Sequence, residues 1–113
     1  MHEIRIAEDL ARIVLDTSRD EGLSEVSAVN VSFGQMIQIV PEIFKFAFTE
    51  AVKDTIAGSA VINIEVLPVK LKCKDCGTEF RIGEDYFICK NCNSSDIEIL
   101  QGKELFIKSI EGE

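Results

Sequence analysis

Two pairs of cysteines, Cys73-Lys74-Asp75-Cys76 and Cys89-Lys90-Asn91-Cys92, are the residues of this 113-residue chain best equipped for chemistry. In a CxxC knuckle a tight turn aims two sulfurs at one centre, and two knuckles supply the four thiolates of a closed tetrahedral zinc site. Twelve residues separate the pairs, and the sequence holds no other cysteine to compete. A redox CxxC needs only one pair, and catalytic zinc keeps an open position, so the expected role is structural. Iron of the rubredoxin type takes the same ligands and stays open on residue types alone. Gly77 and Asn93 each follow the second cysteine of a knuckle, where a left-handed turn is needed. Zinc held this way contributes about 10–16 kcal/mol near neutral pH. That would dominate a module whose apolar content is little more than Phe80, Tyr86, Phe87 and Ile88.

The second candidate is His2, the only histidine, followed by Glu3. With the Met1 amine free, that amine and the His2 amide nitrogen close one chelate ring, and the His2 imidazole closes a second. The main chain or carboxylate of Glu3 can take the next position. Nitrogen-rich, tetragonal donor sets favour Ni(II) or Cu(II). An amine with a reference pKa of about 7.7–8.0 gives up its proton readily near neutrality. Such a site is small and open, suited to filling and emptying.

The elements that must position these groups follow from periodicity. Ile6, Leu10, Ile13 and Val14 mark one face of a helix from Ile4 to about Asp20, with Gly22 as its stop. Val26 to Phe33 alternates as a strand. Pro41 suits the first turn of a second helix, whose stripe is Phe44, Phe48, Ala51, Val52 and Thr55, closed by Gly58. Ala60 to Val69 and Leu105 to Ile110 read as further strands. The expected fold class is α+β: two helices packed on a small three-stranded sheet, with an inserted four-cysteine zinc-ribbon-like module. The expected domains are 1–69 plus 96–113, which would carry nickel, and 70–95, which would carry zinc.

Charge narrows the partners. Twenty acidic against twelve basic side chains give a net −8, which opposes nucleic-acid binding. The sequence shows no membrane-length apolar run and no signal-peptide core, so a soluble cytoplasmic protein is expected, a monomer or weak homodimer. Paired cysteines in that reducing setting point to metal rather than disulfide.

Met1-His2-Glu3, the Pro41-Glu42…Phe46-Ala47-Phe48 helix opening, and CxxC-x12-CxxC followed by Gly102-Lys103-Glu104-Leu105 resemble the HypA/HybF family of nickel metallochaperones. The resemblance runs the length of the chain. It implies nickel bound by His2 with Glu3 and Met1 beside it, and zinc bound by Cys73, Cys76, Cys89 and Cys92. It further implies delivery of Ni(II), with an accessory GTPase, to the large subunit of NiFe-hydrogenase, and in some organisms to urease. The second knuckle departs from the family's usual Cys-Pro-x-Cys-Gly, and Asn93 stands where glycine is common. The stretch Gly83-Glu84-Asp85-Tyr86 has no histidine, so any additional nickel donor there would be acidic. The competing reading is a zinc-ribbon interaction or regulatory module without nickel transfer. No enzymatic activity is expected, because the sequence offers no Ser-His-Asp set and no glycine-rich phosphate loop.

Overall fold

The computed structural model describes residues 2–81 and 88–113, with the backbone alone for His2. The chain forms helix α1 (His2–Asp20), strand β1 (Val26–Gly34), a 3-10 turn (Gln35–Ile37), helix α2 (Pro41–Ala51) and strands β2 (Val61–Leu67), β3 (Lys70–Cys73), β4 (Glu79–Arg81), β5 (Ile97–Gln101) and β6 (Leu105–Gly112). It divides into two compact units. One comprises Met1–Ser32, Ile39–Glu65 and Phe106–Glu113; the other comprises Phe33–Gln38 and Val66–Leu105. The α+β class holds, with two helices and small sheets. The simple order of helix, strand, helix, strand, cysteine insert and strand is extended by β3, β4 and β5, which build a second sheet.

In the first unit the two helices pack on one another, and strand order is β2-β1-β6. Side-chain bonds from Asn63 to Asn30 and from Ser32 to Glu65 advance in step along β1 and β2, as they do between parallel strands joined by a crossover helix. Glu25 exchanges two backbone bonds with Glu113, and Gly34 donates to Glu104, so β6 runs antiparallel to β1. Val26, Val29 and Val31 are buried with Phe44, Phe48 and Val52 from the second helix region. The Phe44 and Phe48 rings, one helical turn apart, lie 5.9 Å centre to centre.

Helix α1 buries Leu10 and Val14 of the expected face, leaves Ile6 half-buried, and adds small residues in place of the expected Ile13. The buried positions are Ala7, Leu10, Ala11, Val14 and Ser18, whereas Ile13 is 50% exposed. Ile13 and Ser18 line a groove with Ile107, Ser109 and Ile110 of β6. The helix ends as a Schellman motif: Gly22 at φ 72° donates to Arg19 while Leu23 donates to Ser18. Helix α2 stops at Ala51, earlier than its periodicity implies, and Ala51 is exposed. The Thr55 hydroxyl bonds back to the Val52 carbonyl and Asp54 turns left-handed, which ends the helical ladder.

The second unit carries the antiparallel sheet β4-β3-β5, pairing Leu71 with Phe80 on one side and with Ile99 on the other. Strand β5 is not among those that the alternation marks. Its signal is confined to Ile97 and Ile99 alternating with Glu98 and Leu100. Leu71, Phe33 and Val69 are buried, Phe80 is half-buried, and Ile88 is exposed. Tyr86 and Phe87, the other expected core residues, lie outside the described residues, as does Gly83-Glu84-Asp85-Tyr86.

A glycine pair clamps this unit. A Cβ on Gly34 would sit 2.1 Å from the carbonyl carbon and oxygen of Gly102. Gly102 itself holds φ +126°, which side-chain-bearing residues avoid, and accepts a bond from Met36 N–H. Backbone on backbone cannot yield as a flexible side chain would. Gly34→Ala should therefore destabilise the protein by about 3 kcal/mol, seen as a lower midpoint in urea unfolding of the zinc-loaded chain.

Candidate metal centres

Strand β3 ends on Cys73, and the chain turns at once through Cys76 to β4. The turn is closed by Gly77 N–H to the Cys73 carbonyl (2.9 Å) and Cys73 N–H to the Thr78 carbonyl (2.9 Å). The second knuckle repeats the pattern: Asn93 N–H bonds the Cys89 carbonyl (2.7 Å), and Cys89 N–H bonds the Ser94 carbonyl (2.9 Å). Gly77 has φ 77° and Asn93 has φ 62°. Asparagine thus adopts the left-handed turn expected of it. In each knuckle the first cysteine is buried and the second exposed.

The two turns bring all four Sγ atoms within 4.8 Å of one another. Cys73 and Cys92 sulfurs are 3.5 Å apart, and those of Cys76 and Cys89 are 3.6 Å apart. A regular tetrahedron with metal–sulfur bonds of about 2.3 Å has edges of about 3.8 Å. The sulfurs are unbonded to each other and spaced as such edges, so the cluster fits a zinc ion closed to solvent.

Residues around the sulfurs set their proton affinities. Cys76 is lowered to about 6, first by the Thr78 hydroxyl 3.2 Å away, then by the Thr78 backbone and by Asn91 Nδ2 at 3.7 Å. Cys92 feels a downward pull from the Ser94 backbone, yet the neighbouring sulfurs, Cys73 first, together with desolvation push it up to about 12. One sulfur of the set is a ready thiolate and another holds its proton until a cation replaces it. Ser94 Oγ also donates to the Asp75 carboxylate, tying one knuckle to the other. Thr78, Asn91, Asp75 and Ser94 were not singled out from the sequence. The available signal was their position within or just after the knuckles.

The N-terminal candidates are placed differently. Met1 and the His2 side chain lie outside the described residues; the His2 backbone opens α1. Glu3, in the first turn, accepts a bond from Val40 N–H at 3.2 Å. Asp9 pairs with Arg12 at 3.4 Å on the exposed face. Among the described residues, no histidine, cysteine, aspartate or glutamate cluster other than the four cysteines could hold a metal. Nor is any described helix long and apolar enough to cross a membrane.

Residues 1–112 match the family model described as hydrogenase/urease nickel incorporation, metallochaperone, hypA. The chain belongs to the HypA family. A protein of Moorella thermoacetica named hydrogenase maturation factor HypA is 30% identical over 113 residues, 100% of both chains. One of that name from Desulfatibacillum aliphaticivorans is 38% identical over 112 residues, 98% of this chain and 86% of the relative. The solution structure of the nickel metallochaperone HypA from Helicobacter pylori superposes with a TM-score of 0.69 at 25% identity, covering 97% of this chain and 96% of the other.

Two outcomes follow from the sulfur geometry. Zinc binding must displace at least the Cys92 proton near neutrality, so affinity should fall at least tenfold per pH unit between 7 and about 6. Below about 6 the Cys76 proton must be displaced as well, and the slope should steepen to at least a hundredfold per unit; competition with a chromophoric chelator measures both. At Asn93, Asn93→Gly should be neutral or slightly stabilising. Asn93→Val should lose about 1–2 kcal/mol, because a β-branched residue resists the left-handed turn; thermal unfolding with zinc bound compares them.

Proposed function

We propose that this protein is a carrier of Ni(II) for the maturation of NiFe-hydrogenase, with urease as a second recipient. Family membership across residues 1–112 is the observation that carries this reading. On it, the Met1 amine, the His2 amide nitrogen and the His2 imidazole hold the cargo, with Glu3 beside them. Cys73, Cys76, Cys89 and Cys92 hold zinc permanently. The first unit carries nickel and the second carries zinc.

The position of His2 supports the nickel assignment in a way that sequence alone does not. Amide nitrogens in the first turn of a helix have no carbonyl partner within it. A metal that takes the His2 amide nitrogen, at the start of α1, therefore breaks no helical hydrogen bond. The amine and amide donors select Ni(II) over hard cations. The positive end of the α1 dipole opposes a cation there, and the acidic Glu3 in the same turn offsets it. Such a balance favours a site that binds and releases.

Zinc in the second unit supplies fold rather than reaction chemistry, since four sulfurs leave it no open position. The protein acts in the cytoplasm, handing nickel on with an accessory GTPase to the hydrogenase large subunit, and is not itself an enzyme. Isothermal titration with Ni(II) tests the cargo site. One tight equivalent is expected for the native N-terminus, with at least a tenfold weakening in His2→Ala and on extension of the chain before Met1. Equal affinity in all three proteins would contradict the assignment.

A further inference from the structure

We propose that Glu3 serves as the missing cap of α2, fastening the nickel-binding tripeptide to the second helix. The start of α2 has Pro41 at its first position and Glu42 in its first turn, but no side-chain cap of its own. Its N-cap residue is Val40, which has no polar side-chain atom and makes no side-chain cap bond. Pro41 follows at the first helical position and has no N–H. In a capping box a glutamate three residues inside the helix reaches back to the N–H of the cap residue. Here that inner position is Ile43, which cannot do so.

Glu3 does it from another helix. Its Oε2 accepts from Val40 N–H at 3.2 Å, across 37 residues of sequence. The carboxylate also places negative charge where the α2 dipole is positive, next to Glu42 in that helix's own first turn. The sequence pattern gives Glu3 a place beside the metal. The structure gives its side chain a second partner, so Glu3 is a positioning residue that acts through α2.

The consequence rests on the nickel reading above. Nickel that grips Met1 and His2 fixes the backbone leading into Glu3, which reduces the entropy cost of holding the carboxylate against Val40. Cargo and cap are then linked. The factor by which nickel strengthens the cap equals the factor by which an intact cap strengthens nickel binding. Loading would thus tighten the start of α2, the helix whose opening exposes Ile43 and Phe46 to solvent.

Amide hydrogen exchange at Val40, followed by NMR on the full zinc-loaded chain, tests both parts. Without nickel, Glu3→Ala should accelerate Val40 exchange about fivefold, the equivalent of one lost cap. Glu3→Gln keeps an acceptor oxygen and should stay within about twofold of the native chain. Saturating Ni(II) should slow Val40 further in the native protein and not in Glu3→Ala, while amides at Val29 and Val31 in the core stay unchanged. Unaltered Val40 exchange in metal-free Glu3→Ala would overturn the cap. Native Val40 exchange indifferent to bound nickel would overturn the linkage. A native chain that fails to bind nickel in the titration would remove the cargo reading and the linkage together, and the metal-free comparison would still decide the cap.

Discussion

Four sulfur atoms held within 4.8 Å of one another are the constraint around which the second unit is organised. Thiolates at that spacing repel once their protons are lost. A divalent cation supplies the compensation, and with it a contribution of about 10–16 kcal/mol. The local structure is consistent with this dependence. Strand β3 delivers Cys73, two turns with matching hydrogen bonds deliver the other three sulfurs, and Asp75 and Ser94 lock the turns together. The Gly34–Gly102 contact then closes the unit where side chains would not fit.

The two metals envisaged for the chain are kept apart by donor chemistry. Sulfur in a closed tetrahedron favours retention, because every coordination position is filled and the first cysteine of each knuckle is buried. The nitrogen donors proposed at the start of α1 would favour exchange, because they are few and would break no internal hydrogen bond on binding. A carrier needs both behaviours in one small protein: a permanent ion to hold shape and a transient one to hand on. The single histidine, placed at position 2, limits competition between the sites.

Much of this was legible in the sequence, and the misses have physical causes. The cysteine pairs could be read because ligand number and turn geometry are local properties of a short motif. Asn93 could be read because few residues other than glycine tolerate the left-handed turn. Leu10 and Val14 mark the buried face of α1 correctly, whereas Ala7, Ala11 and Ser18 on that face carry too little apolar signal to be read, and Ile13 stays half exposed. The early end of α2 depends on a Thr55 hydroxyl that competes with the backbone, which periodicity does not register. Strand β5 is too short for its alternation to stand out, and β3 supplies the pairing that stabilises it. The contact between Glu3 and Val40 is beyond any local pattern, since it joins residues 37 apart.

Separation of the two ions is tested most directly by X-ray absorption at both metal edges of one doubly loaded sample. The zinc edge should report four sulfurs at about 2.3 Å, and the nickel edge nitrogen and oxygen neighbours only. Sulfur in the first shell of nickel, or nitrogen from His2 in the first shell of zinc, would contradict it.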